Sequence, residues 1–379
     1  MRKKSLVSVV RCNSYKLKEV ESAVRKSLEM LGVEIPKRKN VLIKPNIILP
    51  KEPEYSATTH PALVEAVCRI LKEKQCRIII GESDGTGLTE LGFKRSGIEE
   101  VAKKYNAKLV AFEKDKKIRI KRKHNLIVKE AYLPETLIKA DFVINLPKLK
   151  THSLTKYTGA IKNMFGIIPG GTKALYHSLA PTEKRFSEVL IDVYNFRIPD
   201  LNIIDGIVGM EGMGPTQGTP KKSGLIIAST DGPALDLVAS RIIGLEPERV
   251  YHIQKAFERK LSDKNNIEIV GEDGKVESLG RYYIKYKRAP EAGSLLSLLG
   301  RKAINAFAPR PILMREKCTA CRVCYKHCPV DAISFKRGFP EINRKKCIRC
   351  FCCVELCIQK AMVVEKTTLL SIIKRLIGK

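Results

Sequence analysis

The chain has 379 residues, 44% of them hydrophobic, which is enough for a sizeable core and excludes a chain disordered throughout. Its 70 Lys plus Arg against 40 Asp plus Glu give a formal net charge of +30, a balance that attracts acidic partners, anionic small molecules, nucleic acid or anionic lipid. Aromatic residues are only 6% and Trp is absent, so no stacking platform for single-stranded nucleic acid is expected.

At the N-terminus Arg2, Lys3 and Lys4 precede an apolar run, Leu6 to Val10, that is too short for a signal peptide, and no later stretch of about 18 apolar residues spans a membrane. A cytoplasmic location is therefore expected. Ser5 to Val10 reads as a strand, Leu17 to Leu31 as an amphipathic helix, and Asn40 to Lys44 as a strand ended by Pro45. Thr59-His60-Pro61 predicts the next helix, with Thr59 as cap, Pro61 in the first turn, and Leu63, Val64, Val67 and Leu71 along it. A strand from Arg77 to Ile80 ends in Gly81, Ser96 caps a helix through Val101, and Lys108 to Phe112 is a further strand. Ile118 to Tyr132 alternates apolar and basic residues around His124-Asn125, which predicts an inserted hairpin.

Phe142 to Asn145 resumes the core strands, and Leu146 to Ala180 reads as a long polar loop, a length that usually signals function. A helix from Glu183 to Phe196, a strand from Leu201 to Asp205, a Gly-rich loop to Gly218, a strand from Leu225 to Ser229 and a helix from Pro233 to Ile243 follow. This alternation predicts an α/β fold, a three-layer domain on a mostly parallel sheet over residues 1–285. Pro309 and Pro311 close a linker over 286–311, before a small ferredoxin-type α+β domain over 312–365. Residues 366–379 form a short basic amphipathic helix, expected to dock on its own protein rather than on a membrane surface, with the similar stretch Leu295 to Phe307 as its partner.

Twelve cysteines would suit a disulfide scaffold, but eight fall into one pattern. Cys318, Cys321, Cys324 and Cys328, followed by Pro329, are separated by two, two and three residues, and Cys347, Cys350, Cys353 and Cys357 repeat that spacing. Two-residue gaps let one tight loop wrap a cubane and supply three thiolates, while the fourth cysteine leads away and reaches the other cluster. Two 4Fe-4S clusters are expected, one on Cys318, Cys321, Cys324 and Cys357, the other on Cys347, Cys350, Cys353 and Cys328. Zinc is the competing reading, yet zinc sites pair two C-x-x-C knuckles across a loop.

The segment resembles bacterial-type two-cluster ferredoxins, including Ala332-Ile333 and Ala361-Met362 after the two runs. Ile358 follows Cys357 where that family repeats the proline, so an extra amide is available to a cluster sulfur and the two clusters need not be equivalent. The repeat selects Cys353 over its neighbour Cys352, and Cys12, Cys68 and Cys76 are expected to be buried thiols.

In parallel α/β domains the loops leaving the carboxyl ends of strands build the site. Here those loops carry Lys44, Asn46, Lys148, Lys150, Lys162 and Asn163, a candidate anion-binding set, with His152, His177, Asp84 and Asp205 as candidates for moving protons or holding a metal. The bland alternative makes the lysines surface charge and the polar residues turn-formers. Gly85-Thr86-Gly87 lacks a third glycine at Glu90, and no phosphate-loop motif occurs, so a dinucleotide site is not expected.

The runs Val41-Leu42-Ile43-Lys44-Pro45-Asn46, Thr59-His60-Pro61, Asn145 to His152, Gly159-Ala160-Ile161-Lys162-Asn163 and Asp205-Gly206 resemble the family called domain of unknown function 362. The resemblance covers about residues 40–245 and implies an iron–sulfur protein of anaerobic or archaeal type metabolism, often with a C-terminal ferredoxin module, without naming a reaction. The expected function is electron relay between that module and an anionic small molecule, with reduction as the reaction class. The alternative is a non-catalytic electron carrier that docks an acidic redox partner protein.

Overall fold

The computed structural model describes residues 4–170, 172–289 and 309–365. The tail helix over 366–379, the stretch Leu295 to Phe307 and most of the expected linker lie outside the described residues. Among the described residues no helix is long and apolar enough to cross a membrane.

The larger domain is built on strands β1 (Ser5–Arg11), β2 (Asn40–Pro45), β3 (Arg77–Glu82), β4 (Lys108–Ala111), β5 (Lys117–Lys121), β6 (Glu130–Pro134), β7 (Phe142–Leu146), β8 (Lys148–His152), β9 (Lys156–Thr158), β10 (Leu201–Glu211), β11 (Thr219–Ser229), β12 (Ile267–Gly271) and β13 (Gly274–Lys275). Its main sheet has the order β13-β12-β1-β11-β10-β7-β2-β3-β4. The pairs from β10 to β4 are parallel, as is β1 with β12, whereas β11 runs antiparallel to both of its neighbours. Alternate residues of one strand feed opposite layers. Val41 and Ile43 pack with helices Leu17–Leu31 and Pro61–Glu73, while Leu42 packs with helix Glu183–Phe196 on the other face. The fold is therefore the expected three-layer α/β domain, with β5 and β6 as the inserted antiparallel hairpin.

The stretch read as a loop, Leu146 to Ala180, is folded into β8, β9 and the helices Ala160–Asn163 and Thr172–Leu179. All five residues of β8 are buried, lysines included, because their heads meet polar partners inside the protein; a sequence rule sends lysine to water. Thr59 does not cap its helix. The His60 ring nitrogen accepts from the Ala62 amide at 3.2 Å, and the Thr59 hydroxyl donates to the Leu146 carbonyl at 2.6 Å while accepting from the Asn46 amide at 2.8 Å. Thr59 thus ties the end of β7 to the chain leaving β2. Ser96 likewise bonds back to Phe93, closing a helix over Thr89–Arg95, and Gly97 at φ 74° starts the next one. The chain through Lys287 still packs on the larger domain, where the Glu211 carboxylate accepts from the Lys287 amide at 2.9 Å.

The small module pairs Pro311–Leu313 with Met362–Val364 and Ile333–Lys336 with Phe339–Ile342 around a core of Phe351, Val354 and Met362. It is fastened to the larger domain by hydrogen bonds to its backbone. Thr216 donates to Glu355 O at 3.0 Å, Gln217 to Val354 O and Met362 O at 2.8 and 2.7 Å, and Lys51 to Ile358 O at 3.0 Å. Leu356 packs over Gly85, where a Cβ would overlap the leucine Cδ2 and stand 3.1 Å from the Ile48 carbonyl. Gly85→Ala is expected to loosen this seam and speed amide hydrogen exchange across residues 352–356; unchanged exchange would mean the leucine simply turns aside.

Candidate functional site

The carboxyl ends of β2, β3 and β7, together with β8, bring most of the candidate residues to one end of the sheet. Two lysines are consumed in buried ion pairs: Lys44 with Glu82 at 2.6 Å and Lys148 with Asp205 at 2.8 Å. Burial lowers the Lys44 pKa and raises that of Glu82, each opposed by the partner's charge. Asp205 also accepts from the Tyr15 hydroxyl at 2.8 Å and the His60 amide at 2.9 Å, and the Tyr15 and His60 rings stack at 3.5 Å.

Lys150 has a different environment. Its ammonium donates to Asn46 Oδ1 at 2.6 Å and to Ala57 O at 2.7 Å, with no carboxylate in hydrogen-bond reach among the described residues. Asn46 in turn donates to Asn163, Asn163 to Asn145, and Asn145 to Asn202, at 2.9, 2.7 and 2.9 Å, a chain of amides that fixes the Lys150 head. Lys162 makes no hydrogen bond or ion pair among the described residues. Burial lowers the pKa of both lysines, and at Lys162 the nearby Glu355 opposes it.

Lys150 and Lys162 face a cavity of about 100 Å³ whose wall is completed by both domains. From the larger domain come Asn46, Glu82, Asn163, Phe165, Lys173 and His177; from the small module come His327, Cys352, Glu355 and Leu356. Burial takes the His177 pKa down to about 3, so the ring is neutral, and it stacks on Phe186 at 4.1 Å. The other candidates lie outside the lining. Asp84 spends its carboxylate on the amides of Thr86, Gly87 and Leu88 and the Thr86 hydroxyl. His152 is buried, and its Nδ1 accepts from the Leu154 and Thr155 amides at 3.0 and 3.2 Å. The proton of this neutral ring therefore sits on Nε2, which lies 3.5 Å from Glu355 Oε1 without hydrogen-bonding to it.

Sequence reasoning missed Lys173 and Glu355. Lys173 lies in what read as a loop; its ammonium bonds Ser83 O and Asp84 O, and burial lowers its pKa to about 8 against the pull of Glu82 and Asp84. Glu355 lies between two cysteines that take all the attention. Burial raises its pKa to about 7, opposed by Lys162 and Lys150.

In the small module one cavity is lined by Cys318, Cys321, Cys324 and Cys357 and a second by Cys328, Cys347, Cys350 and Cys353, with Cys352 at its edge. All twelve cysteines are free. Backbone amides are aimed at the sulfurs: Ala320 at Cys318, Ala332 at Cys328, and Ala361 with Met362 at Cys357, at 3.2 to 3.4 Å. Among the described residues no three His, Cys, Asp or Glu side chains converge as on a single metal ion; each set of four surrounds a space instead. Thiols around a cavity with amides facing their sulfurs fit a cubane cluster. Ile358 contributes its carbonyl to Lys51, while Cys357 takes its amide bonds from Ala361 and Met362.

The family model described as "Domain of unknown function (DUF362)" matches residues 41–241, and that described as "4Fe-4S dicluster domain" matches residues 310–358. The chain is 33% identical over 248 residues to a thylakoid-associated protein of Synechocystis sp., covering 64% of this chain and 76% of that protein. It is 35% identical over 51 residues to the NADH-dependent phenylglyoxylate dehydrogenase subunit delta of Aromatoleum evansii, covering 14% of this chain and 55% of that subunit. It is also 35% identical over 60 residues to the pyruvate synthase subunit PorD of Thermotoga maritima, covering 16% of this chain and 61% of that subunit. These last two matches span less than two thirds of either subunit. Among solved structures, the lactate racemase apoprotein from Thermoanaerobacterium thermosaccharolyticum aligns with a TM-score of 0.36 and 13% identity over 62% of this chain and 56% of that one, again under two thirds of its length.

Proposed function

Since the chain belongs to the domain of unknown function (DUF362) family and carries a 4Fe-4S dicluster domain, an iron–sulfur module for electron transfer, we propose that it relays electrons to or from a small anionic molecule held in the cavity between the two. The carrying observation is that, among the described residues, Lys150 and Lys162 face this cavity without a hydrogen-bonded carboxylate, whereas Lys44 and Lys148 each have one. An ammonium taken out of water costs several kcal/mol unless an opposite charge offsets it. A small carboxylate or oxyanion between Lys150 and Lys162 supplies that charge.

In this reading the Asn46-Asn163-Asn145 chain holds Lys150 in place, and Phe165 and Leu356 keep water from the ligand. Neutral His177 presents a ring nitrogen without adding charge. Glu355, near pKa 7, and Lys173, near pKa 8, are the cavity groups matched to giving a proton around neutral pH. Two 4Fe-4S clusters, one on Cys318, Cys321, Cys324 and Cys357 and the other on Cys328, Cys347, Cys350 and Cys353, supply single electrons. Cys352 stands in the wall shared by the second cysteine cavity and the ligand cavity, which makes that set the nearer one to the ligand.

The test uses chemically reduced holoprotein, mixed anaerobically with 2-oxo carboxylates, 2-enoates and inorganic oxyanions while cluster absorbance is followed. At least one compound is expected to reoxidise the protein, and Lys162→Ala is expected to slow it at least about tenfold with iron content unchanged. If no compound distinguishes the variant from the wild type, the site is refuted. Lys173 faces Glu82, Asp84, Lys44 and Glu113 and is charged below about pH 8, so affinity for the active anion should weaken as pH rises through that value.

A further inference from the structure

The two cysteine sets differ in what lies outside them. The second set backs onto the cavity through Cys352, whereas Cys321 of the first set is exposed to solvent. Around the first set the chain places a basic rim on an aromatic base. Arg322 lies over the Phe335 ring at 5.3 Å and Arg315 over Phe339 at 5.5 Å, on the two strands of one hairpin, and Tyr325 meets Phe335 edge-on at 6.1 Å with nearly half its surface exposed. Arg322 and Phe335 both line the first cysteine cavity. Lys317 and Lys326, both exposed, flank the same loop.

Over residues 309–365 Lys and Arg number twelve against five Asp and Glu, so this rim is not neutralised by the module that bears it. Guanidiniums stacked on rings are held in place before any partner arrives, which lowers the ordering cost of docking.

From this we infer that the face formed by Arg315, Lys317, Arg322, Tyr325 and Lys326 is the docking surface for an acidic one-electron carrier protein, and that electrons pass through the Cys318, Cys321, Cys324 and Cys357 set on their way to or from the cavity. When the carrier is the donor, it is oxidised by one electron and the chain is reduced by one, with no bond or proton exchanged. The inference rests on the relay reading for the redox role of the first set. It adds where the electron enters and what kind of protein brings it.

The test is stopped-flow reduction of the holoprotein by a photoreduced acidic [2Fe–2S] ferredoxin, with a photoreduced deazaflavin as small reductant. The ferredoxin rate is expected to fall at least about tenfold from low to high salt, and about as much again at low salt in the Lys317→Glu/Lys326→Glu variant, whose residues lie outside the cysteine cavity, while deazaflavin reduction is unchanged. Lys345→Glu/Lys346→Glu, beside the second set, is expected to change the ferredoxin rate by less than about twofold. Equal ferredoxin rates in wild type and the Lys317→Glu/Lys326→Glu variant overturn the docking face. Binding to phosphatidylglycerol vesicles that this variant loses, with carrier reduction intact, assigns the rim to a lipid surface and overturns it too. Failure of deazaflavin to reduce the wild-type clusters counts against the relay reading instead.

Discussion

Anaerobic reconstitution of the full chain is expected to give about eight iron and eight sulfide per chain, with Cys353→Ala lowering both to about four and Cys352→Ala leaving both near eight. The two adjacent cysteines make this a sharp comparison. Both border the second cysteine cavity, but Cys352 also lines the cavity shared with the larger domain and its thiol interacts with that of Cys350. Cys353 keeps the two-residue spacing from Cys350 that lets one loop wrap a cubane. Cys321→Ala should halve the iron as well, because it removes a thiolate from the other set while the second set keeps its four. Zinc at one or two equivalents in place of iron would end the cluster assignment, and equal iron in the Cys352 and Cys353 variants would end the choice between them. Iron and sulfide analysis with electron paramagnetic resonance of the reduced protein reads every arm.

The cysteine spacing was legible because the geometry that requires it is local: a loop of a few residues either can or cannot wrap a cubane. The main strands were legible for a related reason, since a sheet covered on both faces leaves long apolar runs such as Val41 to Ile43. The site was only partly legible, because what each lysine does depends on what stands opposite it. Lys148 and Asp205 are register partners on β8 and β10, distant in sequence, and the pairing turns a candidate anion ligand into half of an ion pair. Lys150, two residues further along β8, meets an asparagine instead and has no hydrogen-bonded carboxylate among the described residues. Nothing in the alternation of Lys148, Leu149 and Lys150 distinguishes the two. Glu355 was hidden for the opposite reason: it belongs to the module whose cysteines explain its neighbourhood, yet it helps wall a cavity shared with the other domain.

Lys148→Ala is expected to destabilise the fold by about 3–5 kcal/mol, because it leaves Asp205 as a buried carboxylate without its cation. The Tyr15 hydroxyl and the His60 amide still donate to Asp205, but neither carries charge to replace the ammonium. In a chain of this size such a loss corresponds to a fall of roughly 5 °C in the thermal midpoint, measured on anaerobic holoprotein. Lys148→Met combined with Asp205→Asn should recover much of that loss, since removing both charges leaves neither one stranded. Lys162→Ala breaks no hydrogen bond or ion pair among the described residues, and the nearby Glu355, whose pKa burial raises to about 7, can take up a proton when the cation goes, so the variant is expected to stay within about 1 kcal/mol of wild type. The contrast separates two kinds of buried lysine at one end of the sheet. A Lys148→Ala midpoint within about 2 °C of wild type would mean that the pair with Asp205 contributes little charge to the folded state, and that Lys148 belongs with Lys150 and Lys162 among the cations available to an anion.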